Sequence, residues 1–207
     1  MPSIIKLVCL ILAMLSCGVA AFSQDKSIAS AGTFNGQAYS NSKLGFSILV
    51  PGGWTFYDAS KNQAAIERNK EIAAATGDAR LQTSAKYTEV LFQAIPPAFG
   101  GQDKQAILSA GAEKLDAPMT TGQYASFNKS LVLERSNAHL TKDASPVTYD
   151  GQEFIAFDVE GTRKEGPYRQ RYLMTVRHQV AIFIVATFFD DRQEKIVAAS
   201  LKSINFK

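Results

Sequence analysis

The chain has 207 residues, with 22 basic and 19 acidic side chains, two histidines, two cysteines and a formal net charge of +3 at pH 7. That balance excludes a polybasic nucleic-acid binder, because phosphate recognition needs clustered lysine and arginine and no run of five like charges occurs. The length suits one ordinary domain, able to bury about two-thirds of its unfolded surface without disulfide staples.

The chain opens "MPSIIKLVCLILAMLSCGVAAFSQDKS", in which Lys6 precedes an unbroken apolar run from Leu7 to Leu15 and then small residues. This is the pattern of a secretory signal peptide over residues 1–23, with Ala21-Phe22-Ser23 fitting the small-x-small rule before Gln24. The run falls short of the about 20 residues a membrane-spanning helix needs, and nothing later in the chain offers a span. A second reading makes Cys17 the acylated first residue of a lipoprotein, but Met14 stands where that signal usually has leucine, so simple cleavage is favoured. Cys9 and Cys17 both lie in the leader, which leaves the mature domain without a disulfide, a thiolate nucleophile or a cysteine metal ligand. Lys6 departs with the leader, so the mature chain carries a net charge of about +2.

Residues 24–40, rich in serine, alanine and glycine, read as a flexible tether, and the single domain is expected over 41–207. Gly45 to Val50 reads as a strand closed by Pro51-Gly52-Gly53, and Trp54 to Tyr57 as a short second one. Residues 60–75 hold strong helix formers and stop near Gly77. Tyr87 to Ile95 is a strand that Pro96-Pro97 ends, while "QAILSAGAEKL" reads as either strand or short helix. From Thr120 to about Arg135, Tyr124, Phe127 and Leu131 recur at helical spacing.

The last third is the most patterned. Ile155, Phe157 and Val159 alternate with polar residues, "KEGP" at 164–167 makes a turn, and the returning strand sets Tyr168, Gln170, Tyr172, Met174 and Val176 against Arg169, Arg171 and Arg177. "VAIFIVATFF", residues 180–189, is apolar on both faces, which calls for a central strand with helices on each side. Asp191 and Glu194 resemble a capping box at the start of a final helix that ends before "SINFK".

Tyr39, Asn41, Gly45, Phe46, Ser47, Ile48, Pro51 and Trp54 spell an entry motif, and Ser203, Ile204 and Phe206 a tail, that resemble the PsbP/Mog superfamily. The resemblance covers most of residues 39–207 in order of elements. It implies an α+β fold, a three-layer α/β/α sandwich around a mainly antiparallel sheet. Members include extrinsic photosystem II subunits, a nuclear Ran-binding protein and many secreted or lipid-anchored bacterial proteins. As a group they are not enzymes, so no catalytic residue, metal or cofactor carries over.

Residue by residue, the ordinary structural reading outweighs the functional one. Trp54 reads first as core or turn packing and second as a partner anchor. His139 and His178 lack the spacing and the further ligands of a zinc site. No serine sits on a nucleophile elbow. Asp158 and Glu160 face the returning arginines, as cross-strand ion pairs do, and Asp190-Asp191 mark a helix start. The strip Arg163, Lys164, Arg169, Arg171 and Arg177 reads as the solvated face of a hairpin, or as a docking surface for an acidic partner or anionic envelope component. The expectation is an exported, non-catalytic binding or accessory module, periplasmic or extracellular, whose partner is an envelope or extracellular protein. The alternatives are a small-molecule carrier and a small hydrolase with an unrecognised site.

Overall fold

The computed structural model describes residues 27–57, 86–97, 104–163 and 166–207, together with isolated positions between 67 and 82. The expected signal peptide and Cys17 lie outside the described residues. So does most of the expected helix at 60–75, although Glu67, Lys70, Glu71, Ala74 and Ala75 are helical. Gly77 has φ +68° and donates its N–H to the Ala74 carbonyl at 3.4 Å, which is how a left-handed glycine stops a helix.

Among the described residues, eleven strands and two fully described helices follow a short 3-10 turn at Ala29–Ala31. The strands are β1 (Gly32–Asn35), β2 (Ala38–Asn41), β3 (Phe46–Leu49), β4 (Thr55–Tyr57), β5 (Thr88–Ile95) and β6 (Ile107–Lys114). Helix α1 (Thr121–Arg135) precedes β7 (His139–Tyr149), β8 (Gln152–Arg163), β9 (Gly166–Arg177) and β10 (Val180–Phe188). Helix α2 (Asp191–Leu201) and β11 (Asn205–Phe206) end the chain.

All described strand pairs are antiparallel. They form a seven-stranded sheet in the order β4-β5-β6-β10-β9-β8-β7 and a four-stranded sheet in the order β1-β2-β3-β11. The fold is therefore α+β with antiparallel sheets. β10 is the middle strand of the large sheet, and its residues 181–188 are buried on both faces, as its unbroken apolar run requires.

Strand parity separates two cores. Phe157, Val159, Tyr172, Met174, Phe183 and Val185 pack against Tyr124, Ala125, Leu131 and Val132 of α1. The alternate residues, among them Phe154, Leu173 and Ile184, pack with Val197 and Leu201 of α2 and with Tyr39, Phe46 and Ile48 of the small sheet. Phe157 and Tyr172, cross-strand neighbours, stack at 4.7 Å with their rings 6° from parallel.

Several expectations are corrected. Residues 27–40 are not a tether, since they build the 3-10 turn and two strands, and Ile28 and Tyr39 are core residues. Asn41 explains this: its amide donates to the Ile28 carbonyl at 2.8 Å and to the Tyr39 hydroxyl at 3.2 Å, pinning the entry segment. The ambiguous stretch at 105–115 is a strand, β6. A strand of 11 residues, β7, occupies a region read as no element. The final helix is capped one residue earlier than expected, by Asp190, whose side chain accepts from the Gln193 N–H at 2.8 Å. Helix α1 bears a complete capping box between Thr120 and Gln123.

Candidate functional site

The sheet register divides the expected arginine strip. Arg169, Arg171 and Arg177 share the parity of Leu173 and lie on the α2 side of the sheet. Arg163 lies on the other side, its guanidinium 3.9 Å from the Tyr168 ring centroid. Lys164 lies outside the described residues.

On the α2 side, Arg171 and Asp158 are register partners and form a two-pronged pair, Nε to Oδ1 and Nη2 to Oδ2, both at 2.8 Å. Their side chains are 26% and 17% exposed, so solvent screens this pair less than a surface pair. Arg169 reaches α2, with Nη2 donating to Asp191 at 2.7 Å and Nη1 to Glu194 at 3.0 Å, over the ring of Phe188. Its register partner is Glu160. The hydrogen bonds these guanidiniums donate to the carboxylates hold both above even the usual arginine range. Two cations thus face four carboxylates, so the local charge is acidic and the arginines join β8, β9 and α2. The cross-strand ion pairing expected for Asp158 is present.

Arg177 continues the same face toward the chain end, donating to the Leu44 carbonyl at 3.4 Å and covering Phe206 at 4.6 Å. There the entry motif and the tail meet. Gly45 has φ +59°, and a Cβ on it would lie 2.4 Å from the Lys207 carbonyl oxygen, so both its backbone angle and its neighbour require glycine. Asp150, in the β7–β8 turn, accepts from Asn205 and from the Phe206 N–H. Trp54 is partly buried and packs at the margin of the core. His139 opens β7 opposite Glu160, and His178 occupies the β9–β10 turn with φ +47°. Among the described residues, no three His, Cys, Asp or Glu side chains come together as metal ligands would.

Sequence reasoning missed a buried polar cluster beneath α1. Glu113 of β6 is 2% exposed and accepts from the Tyr124 hydroxyl at 2.9 Å. Burial pushes the Glu113 carboxyl up to about 8 and also raises the Tyr124 hydroxyl well above its ordinary value. Asn128, one turn further along α1, donates to the Tyr124 carbonyl at 2.7 Å, while its Oδ1 is buried without a partner. Glu113 looked like a charged position in an ambiguous segment, and only the β6 register turns it inward. A separate open groove of about 380 Å³ runs along α1, lined among the described residues by Gln123, Ser126, Phe127, Ser130, Leu131 and Glu134.

No protein-family model matches the chain, and no curated protein does. Solved structures do resemble it. The solution structure of cyanobacterial PsbP, CyanoP, from Synechocystis is 15% identical, with a TM-score of 0.52, covering 93% of this chain and 98% of that one. The fold is PsbP-like. LpqN of Mycobacterium tuberculosis, described as involved in cell envelope biogenesis, is similar at 10% identity and a TM-score of 0.51, over 78% of this chain and 83% of that one. A protein from Bacteroides thetaiotaomicron matches at a TM-score of 0.49 and 13% identity, and this chain spans about half (49%) of its length. Among the described residues, no helix of this PsbP-like fold is long and apolar enough to cross a membrane.

Proposed function

We propose that the protein is an exported accessory module of the bacterial envelope, working by binding rather than by turnover. The observation that carries the reading is the PsbP-like fold, which matches CyanoP over nearly the whole of both chains. Its likeness to LpqN, described as involved in cell envelope biogenesis, supports the compartment, as does the leader-like stretch over 1–23. In this reading the large sheet is the middle of a three-layer sandwich of PsbP/Mog type. Helix α1 forms one cover, and α2 with the small sheet forms the other. The paired charges of β8, β9 and α2 tie these elements together.

A docking role for the arginine strip would act through guanidiniums already bonded to Asp158, Asp191 and Glu194. Reversing Arg169 or Arg171 to glutamate therefore perturbs folding and docking together. The direct test is crosslinking of the tagged protein in its own host, followed by isolation and mass spectrometry. The reading predicts one partner in stoichiometric yield. A protein recovered alone, with a measurable turnover that one side-chain replacement abolishes, would overturn it.

A further inference from the structure

Along α2, Arg192, Lys195, Ile196, Ala199 and Lys202 follow one another at offsets of 3, 4, 7 and 10 residues, and all five are exposed. That spacing places them on one solvent-facing arc, opposite the buried Val197, Ser200 and Leu201. Ile196 and Leu49 are the large apolar side chains exposed among the described residues, at 37% and 53%. Leu49 lies beside the C-terminal end of α2, where its backbone N–H donates at 2.8 Å to the hydroxyl of Ser203, two residues past the end of the helix.

Among the described residues, the side chains of Arg192, Lys195 and Lys202 have no hydrogen-bond or ion-pair partner, unlike those of Arg169 and Arg171. The acids of the helix are engaged elsewhere: Asp190 caps Gln193, while Asp191 and Glu194 bind Arg169. Helix stability does not explain the arrangement. Lys202 suits the negative end of the helix dipole, but Arg192 stands in the first turn, where a cation is unfavourable. Nor does the arc look like a protein hot spot, since none of its five residues is aromatic.

We propose that this face of α2, together with Leu49, docks on the anionic surface of a membrane leaflet. The cations meet lipid phosphates, and the two aliphatic side chains enter the headgroup boundary. The inference concerns a surface of the fold and stands apart from the binding-module reading, because an enzyme could be held at a membrane in the same way.

The test is co-sedimentation of the full chain with vesicles of phosphatidylglycerol and phosphatidylcholine, against vesicles of phosphatidylcholine alone. Affinity for the anionic vesicles should exceed that for the neutral ones and should fall in about 0.5 M salt. The pair Lys195→Ala and Lys202→Ala should weaken anionic binding about 30-fold. The control pair Lys129→Ala and Lys142→Ala, on α1 and β7, should leave it nearly unchanged. Leu49→Ser with Ile196→Ser should weaken binding several-fold without altering its salt dependence. Any leader-driven binding is common to all variants and appears with the neutral vesicles. Equal affinity for both kinds of vesicle, or equal losses in the two lysine pairs, overturns the proposal. Binding to polyglutamate without binding to anionic vesicles would also overturn it, and would assign the face to an acidic protein.

Discussion

Glu113 should make the folded protein sensitive to mild alkali. Its carboxyl titrates near 8 in the fold against about 4.5 when exposed, so between those values the folded chain holds a proton that the unfolded chain has released. Stability therefore falls as pH rises from about 4.5 to about 8, the reverse of an ordinary salt-bridged carboxylate. Glu113→Gln keeps an acceptor for the Tyr124 hydroxyl and removes this loss. Urea unfolding should show the variant more stable than the parent by roughly 2–4 kcal/mol near pH 8, and nearly equal to it near pH 4. A variant no more stable near pH 8 would contradict the assignment. At Arg171 the expectation is the opposite. Arg171→Ala leaves Asp158 half-buried and unpaired, at a cost of about 1.5–3 kcal/mol. A double-mutant cycle with Asp158→Ala should recover a coupling of about 1 kcal/mol or more, and additive losses would deny the pair. Sequence reasoning anticipated this pairing because both residues alternate on adjoining strands. It could not anticipate that Asp191 and Glu194 would claim Arg169 from a helix more than twenty residues away.

Between elements, close approach sets the limits. Gly111 of β6 lies across from Phe183 of β10, and a Cβ on Gly111 would come within 2.2 Å of that ring. Gly111→Ala should therefore destabilise the fold by about 1–3 kcal/mol, with partial recovery on adding Phe183→Leu. A neutral Gly111→Ala, measured by thermal unfolding, would mean that the ring has space to move. The entry segment is held by one carboxylate: Glu89 of β5 accepts from the Ser27 hydroxyl and from the N–H groups of Ile28 and Ala29. Glu89→Ala should remove hydrogen-exchange protection from Ile28 and Ala29 while leaving β10 protected, and loss of protection throughout would show the segment to be integral to global stability. These contacts also show why parts of the fold were hard to read. The entry segment is serine- and glycine-rich like a tether, and its order comes from Glu89 and Asn41, partners far along the chain or across a turn. β7 is an edge strand carrying Lys142, Asp143 and Pro146, features that keep edges from aggregating and also erase the alternation by which strands are recognised. β10, buried on both faces, had no such ambiguity.

At the scale of the whole molecule, the Phe46 and Ile48 positions, the central strand and the terminal helix were legible because they express burial, which composition and periodicity report directly. The PsbP-like fold follows from those elements. The candidate surfaces were less legible, since an exposed arginine and an ion-paired one look alike until the register is known. Thus Arg169 and Arg171 of the expected strip became partners of Asp158, Asp191 and Glu194. An exported module that docks through α2, as proposed, is held at an envelope surface by charge. Fractionation of the native host tests this most directly: cells are opened in low salt, membranes are sedimented, and the pellet is washed in about 0.5 M salt. The account predicts a protein that sediments with the membranes and is released by the salt wash. A protein found free in the low-salt supernatant would contradict it.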